Sequence, residues 1–69
     1  MRQRVERLKA FRTRKGAELQ LDISIVLPQR LIDRLAEARP RDAAGLGLVE
    51  GLRRWRVAAF GAELLAAVS

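Results

Sequence analysis

The run Arg53-Arg54-Trp55-Arg56, one residue after Gly51, is the part of this 69-residue chain best equipped to meet a phosphate. A guanidinium is a planar fork of donors that matches two phosphate oxygens at once. A glycine turn leading into a helix also points backbone N–H groups at the same anion. Trp55 either stacks a nucleobase, worth about 1–3 kcal/mol per base, or packs on the first helix as core. A second basic set is larger. Arg2, Arg4, Arg7, Lys9, Arg12, Arg14 and Lys15 meet only Glu6 within the first fifteen residues, so that segment carries the whole net charge of +6. From residue 16 onward, seven basic side chains balance seven acidic ones. A basic segment on a neutral body is the electrostatic footprint of a polyanion-binding protein. The candidate nucleic-acid contacts are therefore Lys9, Arg12, Arg14, Lys15, Arg53, Arg54, Trp55 and Arg56. On a helical wheel the seven N-terminal cations spread around the axis, with Arg12 and Lys15 snorkelling near Leu8 and Phe11. A solubilising or partner-pairing helix is the alternative to phosphate contact.

Catalysis finds little to work with. The chain has no cysteine and no histidine, which removes the usual zinc ligands, thiol nucleophiles and imidazole bases. Asp33 and Glu37 stand one helical turn apart, but Arg30 and Arg34 interleave with them, as on a solvated charged face. Gly45, Gly47 and Gly51 lack the Lys-Ser/Thr ending of a phosphate-binding loop. No catalytic residue, metal or cofactor is expected. Hydrophobic residues make up 49% and charged residues 32%, too apolar for intrinsic disorder. There is no apolar stretch near the roughly 20 residues of a membrane span, and Met-Arg-Gln-Arg does not open a signal peptide. A soluble cytoplasmic domain with no membrane contact is expected.

Helices must position these side chains, since no run alternates with the period of a strand. Residues 2–20 form the first, on Val5, Leu8, Phe11 and Leu19, with Gly16 tolerated because something packs closely there; residues 1–4 are expected to be linker or a frayed end. Gln20–Ser24 form a turn, with Asp22 or Ser24 as a cap for the next segment. Pro28 opens a second helix on Leu27, Leu31, Leu35 and Ala38 that stops before Pro40. Asp42 caps a short third helix through Leu46 or Gly47. The last, Leu52 to Val68, carries two stripes, Val57/Phe60/Leu64/Val68 and Trp55/Ala59/Ala62/Ala66. The second stripe calls for deep burial or an external partner, and Gly61 is a potential break. The fold class is all-α, a compact orthogonal bundle of four to five helices in a single domain, 1–69.

The ordered series Leu27-Pro28, Leu31, Leu35-Ala36, Pro40, Leu46, Val49-Glu50-Gly51, Phe60-Gly61, Leu64-Leu65 resembles the HRDC domain of helicases and of the ribonuclease D C-terminus, over about residues 5–68. That resemblance implies a five-helix bundle and a non-catalytic accessory module inside a larger enzyme. Leu8-Lys9-Ala10-Phe11-Arg12, Leu21-Asp22, Val26-Leu27-Pro28 and Gly51-Leu52-Arg53-x-Trp55 are more similar to the ribonuclease D type than to the RecQ helicase type. The implied partners are single-stranded or structured RNA or DNA, held by backbone electrostatics without base readout, and the catalytic domain of the same parent enzyme. The alternative is a scaffold that docks on that catalytic domain with little nucleic-acid affinity of its own.

Overall fold

The computed structural model describes residues 2–69, which form five helices in the order α1 (Arg2–Leu19), α2 (Ile23–Val26), α3 (Gln29–Ala38), α4 (Ala43–Gly47) and α5 (Arg54–Val68). The architecture is the all-α bundle expected from the sequence, with no strand among the described residues. No helix among them is long and apolar enough to cross a membrane.

Local chemistry sets the helix ends. α1 closes on Gln20, which adopts a left-handed φ of 56°, while the Leu21 N–H donates to Gly16 O at 3.0 Å. That six-residue closure is the Schellman arrangement, here without its usual glycine. It folds the adjoining loop down onto Gly16, where an added Cβ would lie 3.0 Å from Leu21 O and 3.2 Å from Ile23 Cγ2. The close packing expected at Gly16 is thus present. The turn expected over Gln20–Ser24 instead starts a helix early: Asp22 Oδ1 accepts from the Ser24 N–H at 2.8 Å and the Ser24 hydroxyl at 2.6 Å, capping α2. Asp42 does the same for α4, accepting from the Gly45 N–H at 2.8 Å. Residues 2–4 lie within α1, Met1 lies outside the described residues, and the Arg4 Nε–H donates to Ala36 O at 2.9 Å, tying the helix start to α3.

The core is one cluster. Leu8 and Phe11 of α1 meet Val26 and Leu27, then Leu31, Ile32, Leu35 and Ala36 of α3, Leu46 of α4, and Phe60, Leu64, Ala67 and Val68 of α5. Helices α1 and α5 pack antiparallel, since Arg7 reaches Ser69 while Arg14 reaches Glu63. α5 runs unbroken through Gly61, which faces Leu46 of α4. Its Phe60/Leu64/Val68 stripe is buried with Val57 half-buried, whereas Trp55, Ala59, Ala62 and Ala66 face outward. The two-stripe pattern therefore resolves into one core face and one unpartnered alanine face.

Candidate nucleic-acid interface

Arg56 organises the basic end of the molecule from inside. Leu52, Arg56, Phe60, Leu64 and Val68 recur every four residues, so Arg56 falls on the buried side of α5 and is only 8% exposed. Its fork donates through Nε to Val26 O at 3.1 Å, through Nη2 to Ile25 O at 2.9 Å and through Nη1 to Leu52 O at 3.3 Å. The guanidinium also sits 4.5 Å from the centroid of the Trp55 ring, within cation–π range. Burial, then the positive charges of Arg53 and Arg30, lowers its pKa from the ordinary guanidinium value. Arginine nonetheless stays protonated in proteins. By residue type Arg56 is a candidate phosphate ligand. Its donors are committed to carbonyls instead, and its work is to bolt the start of α5 to the end of α2.

That bolt holds up a short exposed segment. Gly51 has φ +85°, and Arg53 has φ +69° with ψ 152°, a region that side chains rarely adopt. Such backbone costs of order 1–3 kcal/mol and persists only where its surroundings hold it. Here they do: the Arg34 Nη1–H donates to Glu50 O at 2.9 Å, and Arg56 holds Leu52 O on the other side of Gly51. Arg53 and Arg54 project into solvent and enter none of the four ion pairs among the described residues. Trp55 is 43% exposed; its ring meets Phe60 edge-on at 5.9 Å, and Phe60 in turn meets Phe11 at 5.5 Å. Trp55 is therefore neither core nor loose: Phe60 and the Arg56 guanidinium hold part of the ring, and the remainder is in solvent. Arg53, Arg54, Val57 and Ala58 also line a groove of about 370 Å³ with Leu46 and Gly47 of α4.

The candidates on α1 are arranged differently. Arg14 Nη2–H donates to Glu63 Oε2 at 2.9 Å, and Lys15 Nζ bridges Glu63 Oε1 at 3.0 Å and Glu18 Oε2 at 3.2 Å. Hydrogen bonds to Glu63 and then to Glu18 raise the Lys15 pKa. The hydrogen bond from Lys15 lowers that of Glu63 against the opposing effect of burial, and the Lys15 charge and the Arg14 contacts add to the lowering. Arg12 donates to Leu27 O at 3.1 Å and to Gln29 Oε1 at 3.4 Å, while Lys9 is half-buried and outside every ion pair among the described residues. Bonds to carbonyls tether a guanidinium without neutralising it, so Arg4, Arg7 and Arg12 keep their field. Arg14 and Lys15 are neutralised locally. Glu63 lies nine residues beyond Arg54 on α5, about 14 Å along the axis. Among the described residues, Arg53 and Arg54 thus enter no ion pair beside the half-exposed Trp55, whereas Arg12 is tethered to carbonyl acceptors and Arg14 and Lys15 are paired with Glu63 and Glu18.

The Glu63 pairing gives a pH signature. A carboxyl whose folded pKa is depressed contributes stability that is complete above the ordinary glutamate value, about 4.3, and lost as pH falls through the folded value. Asp22, lowered by the Ser24 hydroxyl and then by the Ser24 N–H, behaves the same way. Glu63→Gln should therefore flatten, but not abolish, the fall in melting temperature between about pH 5 and pH 3 seen by circular dichroism. Parallel curves for variant and parent would show that the bridge is solvated away in solution.

Arg30 is a further cation whose field reaches this cluster, and residue type alone does not single it out. It is exposed in the first turn of α3, and its charge reaches Arg56 together with that of Arg53. The available signal was indirect: an arginine in register with Leu52 and Phe60 must enter the core, and it brings the residues near its carbonyl partners alongside α5. Among the described residues, no three histidine, cysteine or carboxylate side chains gather in a way that could hold a metal ion. No curated protein and no solved structure matches the chain. A family model does, over residues 1–68, and with five helices in place around one core the chain belongs to the HRDC domain family, accessory domains of helicases and ribonuclease D.

Proposed function

We propose that this domain binds nucleic acid for an attached enzyme, holding the phosphate backbone on Arg53, Arg54 and Arg30 with Trp55 stacking an adjacent base. The observation that carries this is the pair of exposed, unpaired guanidiniums at the mouth of α5, mounted on a buried arginine beside a half-exposed tryptophan. Contacts of this kind position a strand without reading its sequence. The role is non-catalytic. Resemblance in Gly51-Leu52-Arg53-x-Trp55 and Val26-Leu27-Pro28 favours a ribonuclease D-like 3′–5′ exoribonuclease as host, with a RecQ-family DNA helicase as the alternative.

A specific observation favours a second role beside the first. Leu19, Leu21, Ile23 and Ile25 all expose large aliphatic side chains within seven residues of chain, a surface suited to docking on the host's catalytic domain.

The test is Arg53→Ala/Arg54→Ala, with anisotropy on labelled single-stranded RNA and DNA as the readout. Each lost phosphate contact removes about 0.7 from the log–log salt slope on single strands. The double variant should therefore bind more weakly, with a slope smaller by about 1.4, while keeping its helical spectrum. Unchanged affinity would remove this cluster from the site and leave docking as the role.

A further inference from the structure

We propose that the groove between α4 and the first turns of α5 receives an unstacked nucleobase, so that the domain prefers single-stranded nucleic acid to duplex; this rests on the nucleic-acid role proposed above. The groove encloses about 370 Å³ and is lined by Leu46 and Gly47 on one side and Val57 and Ala58 on the other, with Arg53 and Arg54 also lining it. Leu46 is fully buried beneath the groove and holds its base rigid, and Val57 is a half-buried wall. A Cβ added at Gly47 would meet nothing within 4 Å, which leaves that side open to entry.

The chemistry selects the occupant. The lining side chains offer apolar surface and guanidiniums, and a guanidinium has donors but no acceptor. An extended peptide would bring N–H groups for which no lining side chain has an acceptor. A base brings an apolar face for Val57 and Ala58 and an edge rich in acceptors. Its flanking phosphates are acceptors too, and they meet the two free positive charges. In a duplex those faces are stacked and those edges paired, so only an unpaired base can enter. Such a fit tolerates any base and is compatible with binding that ignores sequence.

Three ligands of equal length separate the outcomes: a labelled single-stranded oligonucleotide, the same backbone with abasic sites, and a duplex. The intact single strand should bind at least about tenfold more tightly than its abasic counterpart, which loses both the groove's base and the one stacked on Trp55, with the duplex also weaker. Ala58→Leu fills the groove from an exposed position with little change in helix propensity. It should remove the groove's share of the difference between intact and abasic strands, leaving only what stacking on Trp55 contributes. The comparison on the parent protein needs no variant and stands even if Ala58→Leu folds poorly. Equal binding of intact and abasic strands overturns the base site while the backbone contacts survive; binding of neither overturns both. Displacement of the oligonucleotide by an acidic leucine-containing peptide, abolished by Ala58→Leu, would assign the groove to a protein and also overturn it.

Discussion

Replacing Arg56 with leucine is expected to cost about 3–5 kcal/mol, the scale for breaking a buried charged network. Three main-chain carbonyls, of Ile25, Val26 and Leu52, would lose charged donors at once. The bonds to Val26 O and Leu52 O are buried, and each acceptor left without a partner there costs about 1–3 kcal/mol, whereas Ile25 O is part-buried and within reach of water. A chain of this length holds only about 3–10 kcal/mol of total stability, so the variant should be largely unfolded at physiological temperature. Arg56→Lys keeps the charge but not the geometry, since an ammonium cannot reach three divergent carbonyls as a guanidinium does. It should fall between the two. Urea unfolding monitored by circular dichroism measures both; a loss below about 1 kcal/mol for the leucine variant would mean that water replaces the fork readily. This result bears on function as well as folding. The same bonds fix the mouth of α5, so Arg56→Lys should weaken nucleic-acid binding even though Arg56 touches no ligand.

Phe60→Ala is expected to cost about 3–5 kcal/mol, the range for removing a buried aromatic ring. Phe60 is 4% exposed and stands between Phe11 of α1 and Trp55 at the start of α5, with edge-on contacts to both. Its removal opens a cavity at the α1–α5 contact and takes away the edge-on partner that fixes the Trp55 ring. The emission of Trp55, the single tryptophan, should shift to the red in whatever fraction remains folded. Ala62→Ser, on the outward face of the same helix, should stay within about 0.5 kcal/mol of the parent. Similar melting curves for Phe60→Ala and Ala62→Ser would contradict the assignment of the Phe60 face to the core.

Much of the bundle was legible in the residues because its signals are local. Asp42 announces α4, Pro40 stops α3, and Leu31 and Leu35 declare the buried face of α3 before any tertiary contact is known, although Ala38, expected on the same stripe, is exposed and Ala36 is buried in its place. α2 escaped because four residues are too few for a period, and only the side-chain cap from Asp22 marks it. The site was less legible, for a physical reason. A charged residue type reads as surface, yet Arg56 sits in the four-residue register of Leu52 and Phe60, and register outweighs type once carbonyls are within reach. Glu63 looks like a stray acid in an apolar helix; its service to Arg14 and Lys15 depends on how α1 lies across α5, which no local pattern encodes. Arg30, distant from Arg53 in sequence, acts on the same Arg56 charge only because the fold brings it near. Charge counting found the excess in the first fifteen residues, but burial and pairing decide which cations remain free.

The most direct measurement of the central claim is the affinity of the unmodified domain for labelled single-stranded RNA and DNA at about 50 and 200 mM salt. Backbone binding through about three to four phosphates should give dissociation constants of about 1–100 µM at the lower salt, weakening roughly 20- to 50-fold at the higher. The stronger of the two nucleic acids would indicate the host enzyme. No binding at the lower salt, or binding indifferent to salt, would contradict nucleic-acid recognition by Arg53, Arg54 and Arg30 and leave the domain as a docking module.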